Sequence, residues 1–377
     1  MRKKCSHFLC THKILYTTND QIKTMGVICL KDIKRIFLIA GTYVATVIGA
    51  GFASGQEILS YFAVYGKRSI YGLAIVCVLF ILCAMCVMLR IYKDDIGGFD
   101  EYMSVVSGKR MGIFIRICVT LFMFATFCSM AAGSGELAYD IFKDGRVYGI
   151  AAMLIMCTIV FLFDLKGILA VNAVLAPIMA VSLFTLGLYT FIFRDTAVFA
   201  QGIASKLCDN YVTSALIYAS YNILTAIVIL AQMRPVISRR SVCIFSSVLG
   251  GGALFVIALA IWGSISLYYG MIPLGEMPFL TIVARRGNFL RMLYSAALYF
   301  SMLTTAISCG YGVIERLKSV FGIKKLTAVI ILIAASCPVL TLGFSDIVKN
   351  VYSVFGYMGL ALIVYVLADG VRMMGEK

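Results

Sequence analysis

A chain of 377 residues that is 62% hydrophobic and only 14% charged is not a soluble globular protein, a class in which about a quarter of the residues carry charge. The formal charge of +15 does not point to nucleic acid either. The Lys and Arg residues stand in tails and loops between apolar spans, as in a membrane protein facing anionic headgroups.

Residues 1–34 read as a basic, disordered cytoplasmic tail, and residues 35–377 as one integral membrane domain. The tail brings Cys5, His7, Cys10 and His12 together in CSHFLCTH. That spacing resembles a metal set, but in a short basic tail it reads as disorder. The remaining cysteines from Cys77 onward lie in or near apolar spans and act as small hydrophobes. Crossing ~30 Å of hydrocarbon takes about 20 apolar residues. Ten spans qualify, near 36–65, 69–91, 111–142, 147–164, 167–193, 211–233, 242–269, 288–315, 325–343 and 347–369.

Span one is broken in the middle by Gly49-Ala50-Gly51-Phe52-Ala53-Ser54-Gly55, followed at once by Gln56 and Glu57. Each glycine costs a helix about 1 kcal/mol relative to alanine. Opened backbone in hydrocarbon must find a partner in protein, water or ligand. The break therefore predicts a cavity with an occupant; the plainer reading is that small residues let a neighbouring helix approach. An ionisable residue at depth is a functional candidate, and Glu57 is read that way. Glu136, in AAGSGE at the far end of span three, is read as hydrated.

Span six carries the small, polar run Tyr218-Ala219-Ser220-Tyr221-Asn222 in an otherwise apolar stretch. It reads as the counterpart of span one, unwound at the same depth. Span eight sets Ser301, Thr304, Thr305 and Ser308 on one helix face, an array of hard oxygens of the kind that light cations prefer. The alternative is that each hydroxyl bonds back to its own helix. Twelve basic residues lie in the loops on the N-terminal side and ten in the opposite loops, and eight more in the tail make that side cytoplasmic. Both termini are then cytoplasmic. An odd number of spans per half inverts the second half, so the chain reads as a five-plus-five inverted repeat.

Together VIGAGFASGQEI, YASYN and the SxxTT of span eight resemble the YkvI-like family of bacterial membrane proteins, over about Lys34 to Arg372. That family is grouped with the amino acid–polyamine–organocation superfamily. The resemblance implies an all-α, ten-helix, leucine-transporter-like fold in which helices one and six unwind around the substrate. It also implies a sodium ion between helices one and eight. The carbonyls of Ala45, Ile48 and Ser301 and the hydroxyls of Thr304 and Thr305 would hold it. Some sodium-independent relatives put a lysine from helix five there, and span five has none.

The expected function is secondary transport, in the bacterial plasma membrane, of a small polar solute such as an amino acid. The freed amides of the broken helix would hold its carboxylate, and Phe52, Tyr218 and Tyr221 would close over it. A sodium gradient is expected to drive transport, with no cofactor and no nucleic-acid partner. A germinant-type receptor subunit on the same fold and a proton-coupled transporter are the alternatives. Both histidines lie in the tail and the spans hold no Ser/His/Asp arrangement, so no enzyme is expected.

Overall fold

A computed structural model of the protein describes residues 30–143, 145–162, 168–193, 209–270 and 274–375. The tail cluster of Cys5, His7, Cys10 and His12 lies outside them. Every regular element among the described residues is helical.

Helix α1 runs Leu30–Val47, so the last five residues of the expected tail are helical. The reason is Asp32 in its first turn, which is buried, accepts from Ser238 Oγ at 2.8 Å and pairs with Arg239 at 2.8 Å. Those contacts tie the start of the helix to the residues that lead into the neighbouring helix at Arg240. Span one then continues as one turn, α2 (Ala50–Ala53), and as α3 (Gln56–Tyr61). After a 3₁₀ segment at Ala63–Arg68 come α4 (Ser69–Asp94), α5 (Phe99–Ile141), α6 (Arg146–Leu162), α7 (Ile168–Ile192) and α8 (Tyr211–Leu230). The second half holds α9 (Arg240–Tyr268), the short α10 (Pro278–Ala284), α11 (Asn288–Phe321) and α12 (Lys325–Val339). It ends with the single turn α13 (Phe344–Asp346), a π turn at Ile347–Val351 and α14 (Tyr352–Gly375).

Six helices are long and apolar enough to cross a membrane, and the shorter apolar helices Arg146–Leu162, Pro177–Ile192 and Lys325–Val339 stand among them. Phe37, Ile117, Ile155, Ile330 and Val364 are exposed on the outside of the bundle. An apolar exterior of that extent suits acyl chains and not water.

Helices α1 and α8 pack against each other at the centre. Helix α1 also contacts α7 and α9, while α8 contacts α14 and α4. Helix α5 packs on α6, α11 and α14, while α11 packs on α12, α5 and α7. Exchanging the first five spans for the last five turns each of these sets of neighbours into the other.

Span six departs from expectation. Helix α8 is continuous through Tyr218–Asn222 and does not unwind. The stretch contains no glycine, and Ser220 and Asn222 find partners without opening the helix. Ser220 Oγ donates to the Ile217 carbonyl at 2.9 Å, and Asn222 Nδ2 to the Tyr218 carbonyl at 3.0 Å. Span ten is also irregular, with a π turn before Tyr352, a feature that recurs at functional sites.

Candidate solute site at the broken helix

The break has two joints. At the first, the Gly49 N–H donates to the Val47 carbonyl at 2.8 Å instead of closing the helical bond to Ala45, and Gly49 is extended. At the second, Gly55 is left-handed at φ 80°. A Cβ there would lie 2.8 Å from Ile265 Cδ1 and 2.9 Å from Phe279 Cβ, so glycine is required twice over. The carbonyls released at this joint are capped by distant elements. Tyr294 of α11 donates its hydroxyl to the Ala53 carbonyl at 2.6 Å, and the Phe279 N–H of α10 donates to the Ser54 carbonyl at 2.8 Å. Residues Ala50 to Glu57 are buried throughout.

Glu57, in the first turn of α3, folds back over Gly51. A Cβ on Gly51 would stand 2.9 Å from both the Cγ and the Cδ of Glu57. The carboxylate is buried and its Oε2 accepts no hydrogen bond. The hydroxyls of Tyr218 and Tyr221 on α8, and of Tyr352 at the start of α14, are its electrostatic neighbours. The Tyr218 and Tyr221 hydroxyls turn towards the carboxylate and that of Tyr352 towards Ser129 and Thr126, none of them with full hydrogen-bond geometry. A buried polar group without a partner costs about 1–3 kcal/mol. Glu57 with the Tyr218 and Tyr221 hydroxyls marks a place that a polar occupant would complete.

The walls are aromatic. Tyr61 stands 5.7 Å from both Tyr218 and Tyr221, and those two are 5.4 Å apart. Tyr352 lies 5.3 Å from Tyr221, and Phe122 of α5 lies 5.1 Å from Tyr352. Tyr61 is fixed by the π turn, its hydroxyl donating to the Val348 carbonyl at 3.1 Å and sharing a hydrogen bond with Ser353 at 2.7 Å.

Of the expected site residues, Gly51, Glu57, Tyr218 and Tyr221 come together here. Ser220 turns instead to the α8–α14 seam, donating to the Gly356 carbonyl, and Asn222 is spent within its own helix. Phe52 is buried but makes no ring contact with Tyr218 or Tyr221 among the described residues. Gln56 donates to Ser60 Oγ at 3.4 Å, and its Oε1 is buried without a partner. Tyr61, Phe122 and Tyr352 were not expected; no glycine, acid or polar run flags them in the sequence. Glu136, expected to be hydrated, is buried and paired with Arg146 at 2.5 Å.

On span eight, Thr304 donates to the Ser301 carbonyl at 3.1 Å and Ser308 to the Thr304 carbonyl at 2.9 Å, so back-bonding accounts for two of the four hydroxyls. Thr305, half-buried, makes no hydrogen bond among the described residues. Helix α11 packs on α2, which begins two residues after Ile48. The hydroxyl-bearing helix is thus the immediate neighbour of the break, where the Ala45 carbonyl has lost its helical partner.

No protein-family model matches the chain. It is 27% identical over 335 residues to the uncharacterized protein YyaD of Bacillus subtilis (strain 168), spanning 89% of this chain and 95% of that one. It is 23% identical over 325 residues to the uncharacterized membrane protein YkvI of the same organism, spanning 86% and 93%. Among solved structures, it superimposes on MhsT in complex with L-phenylalanine with TM-score 0.62 and 16% identity, covering 89% of this chain and 91% of that one. For the Eremococcus coleocola manganese transporter the TM-score is 0.60 at 16% identity, covering 88% and 78%. These two solved structures, both of membrane transporters, share the chain's fold. The chain is similar in sequence to YyaD and YkvI, and shares its fold with solved membrane proteins of the leucine-transporter-like type.

Proposed function

We propose that the protein is a secondary active transporter that takes a small polar solute, such as an amino acid, across the bacterial plasma membrane by alternating access. The observation that carries this reading is the buried carboxylate of Glu57. It sits at the joint of a broken helix, ringed by tyrosine hydroxyls that lack partners. Buried polar groups are as a rule partnered, and several that lack partners gather here around a carboxylate. The neighbours exchanged between the two halves of the bundle support a five-plus-five repeat with ten crossings, and with it both termini in the cytoplasm. Two halves of like design can rock about a site between them, and the chamber lies where α3 of the first half meets α8 and α14 of the second.

Sodium is the proposed coupling ion. The carbonyls of Ala45, Ile48 and Ser301 and the hydroxyls of Thr304 and Thr305 are its proposed ligands, and the Ala45 carbonyl, without its helical partner at the first joint, supports that assignment. Solute contact is assigned to the segment Gly49–Glu57 with Tyr218 and Tyr221. Uptake of labelled solute into proteoliposomes, with a sodium gradient and with choline replacing sodium, tests the reading. Gradient-dependent accumulation is expected. Binding without accumulation would refute transport and favour a receptor. Equal accumulation in choline would remove sodium from the mechanism.

A further inference from the structure

The protein has four buried acids among its described residues: Asp32, Glu57, Glu136 and Asp369. Three have an arginine. Asp32 pairs with Arg239 at 2.8 Å, Glu136 with Arg146 at 2.5 Å, and Asp369 accepts from Arg90 Nε at 2.8 Å. Glu57 has no cationic partner, and its Oε2 has no hydrogen bond of any kind. A buried carboxyl is charged only when paired or coordinated and otherwise takes up a proton, so the charged form of Glu57 calls for a positive group from outside the described residues.

The surroundings state what kind of cation fits. A hard metal ion wants several oxygen ligands of high charge. Here one carboxylate stands among aromatic rings, and no group of three or more His, Cys, Asp or Glu side chains able to hold a metal exists among the described residues. Tyr61, Tyr218, Tyr221 and Tyr352 form a continuous chain of rings with centroids 5.3–5.7 Å apart. Ring faces attract organic ammonium groups at centroid distances of about 6 Å. The partnerless hydroxyls of Tyr218, Tyr221 and Tyr352 each offer lone pairs to an ammonium N–H. The Glu57 carboxylate also lies against Gly51. It takes the room beside the broken segment where a solute carboxylate would otherwise sit, and a second carboxylate there would meet like charge.

We propose that the solute is an organic ammonium compound for which a carboxylate is dispensable, with Glu57 as counter-ion and the tyrosine rings as the cage around the cationic head. This rests on the chamber being the solute site. It narrows the solute class from amino acids in general to amines.

The test uses the full-length protein in lipid nanodiscs and a matched set of probes. These are 2-phenylethylammonium; phenylalanine, which adds a carboxylate; 2-phenylethanol, which removes the charge; and methylammonium and tetramethylammonium, which remove the ring. Binding is read by calorimetry and by the shift in melting temperature. At least one ammonium compound should bind, phenylalanine should bind no more tightly than 2-phenylethylammonium, and 2-phenylethanol should not bind. Glu57→Gln should weaken ammonium binding on the order of 10- to 100-fold, the size of a lost bond to a charged partner. Tyr221→Phe, which keeps the ring face, should bind better than Tyr221→Leu, which loses it. The melting curve of each variant without probe reports folding, and the tyrosine pair still decides if Glu57→Gln does not fold.

The proposal is overturned if no ammonium compound binds, if phenylalanine binds more tightly than the amine, or if Glu57→Gln binds the amine as well as the parent. Transport is judged separately. Ammonium binding without uptake would refute the transporter reading and keep this one. Sodium-driven uptake of a zwitterion that is indifferent to Glu57→Gln would do the reverse.

Discussion

Replacing Gly51 by alanine adds one methyl group at the point where the broken helix meets Glu57. The new Cβ would lie 2.9 Å from Glu57 Cγ and Cδ, whereas ordinary contact begins at 3.4 Å. The Glu57 Oε1 stands closer still, so the carboxylate must leave its rotamer, at a cost of about 0.5–1.5 kcal/mol. Against that stands the gain of about 1 kcal/mol from replacing a helical glycine with alanine. The two nearly cancel, so the melting temperature should scarcely move. Function should not be spared. A displaced carboxylate loses a charge-assisted contact to the solute of about 1.5–3 kcal/mol, or roughly 10- to 150-fold in affinity. Gly41→Ala is the control: a Cβ at Gly41 meets nothing within 4 Å, so this change should leave binding intact. The assay is solute binding and proteoliposome uptake beside a thermal melt. Because Gly51→Ala acts through Glu57, it should add little in a Glu57→Gln background, the non-additivity expected of residues in contact. Parent-like binding by Gly51→Ala, or full additivity of the two changes, would refute the reasoning.

Two further predictions concern the ion and the topology. Thr305→Ala should raise the sodium concentration for half-maximal solute binding about 10- to 100-fold, with saturating sodium restoring most of the affinity, since ion and solute each strengthen the other by the same factor. Thr305→Ser keeps the oxygen and should be nearly silent; equal effects of the two changes would place the ion elsewhere. Single cysteines at the exposed positions Lys67 and Arg240, in a background lacking native thiols, should react with an impermeant reagent from opposite sides of the membrane. Labelling from one side would undo the proposed topology.

Much of this protein is written in local signals. Apolar runs long enough to cross hydrocarbon announced a helical membrane protein, because in lipid the backbone has few other choices. The glycines at 49, 51 and 55 announced the break in span one, because three in seven residues weaken a helix, and at Gly55 the left-handed backbone requires one. Glu57 stood out because a carboxylate so placed is costly without a purpose.

Two other features were not local. The polar run in span six looked like a second break, yet Ser220 and Asn222 bond to carbonyls within one turn and α8 stays whole. Whether a polar side chain opens a helix or closes on it depends on what faces it. The cage around Glu57 is the stronger case. Tyr61 meets Ser353 across 292 residues of sequence, and Tyr294 reaches the Ala53 carbonyl across 241. Tyr61, Phe122, Tyr294 and Tyr352 are ordinary aromatic residues in apolar helices, with nothing beside them to distinguish them from lipid-facing or core positions. Composition and periodicity describe one segment at a time. Which rings share a chamber follows from how α3, α5, α8 and α14 pack, and packing is a property of the assembled bundle.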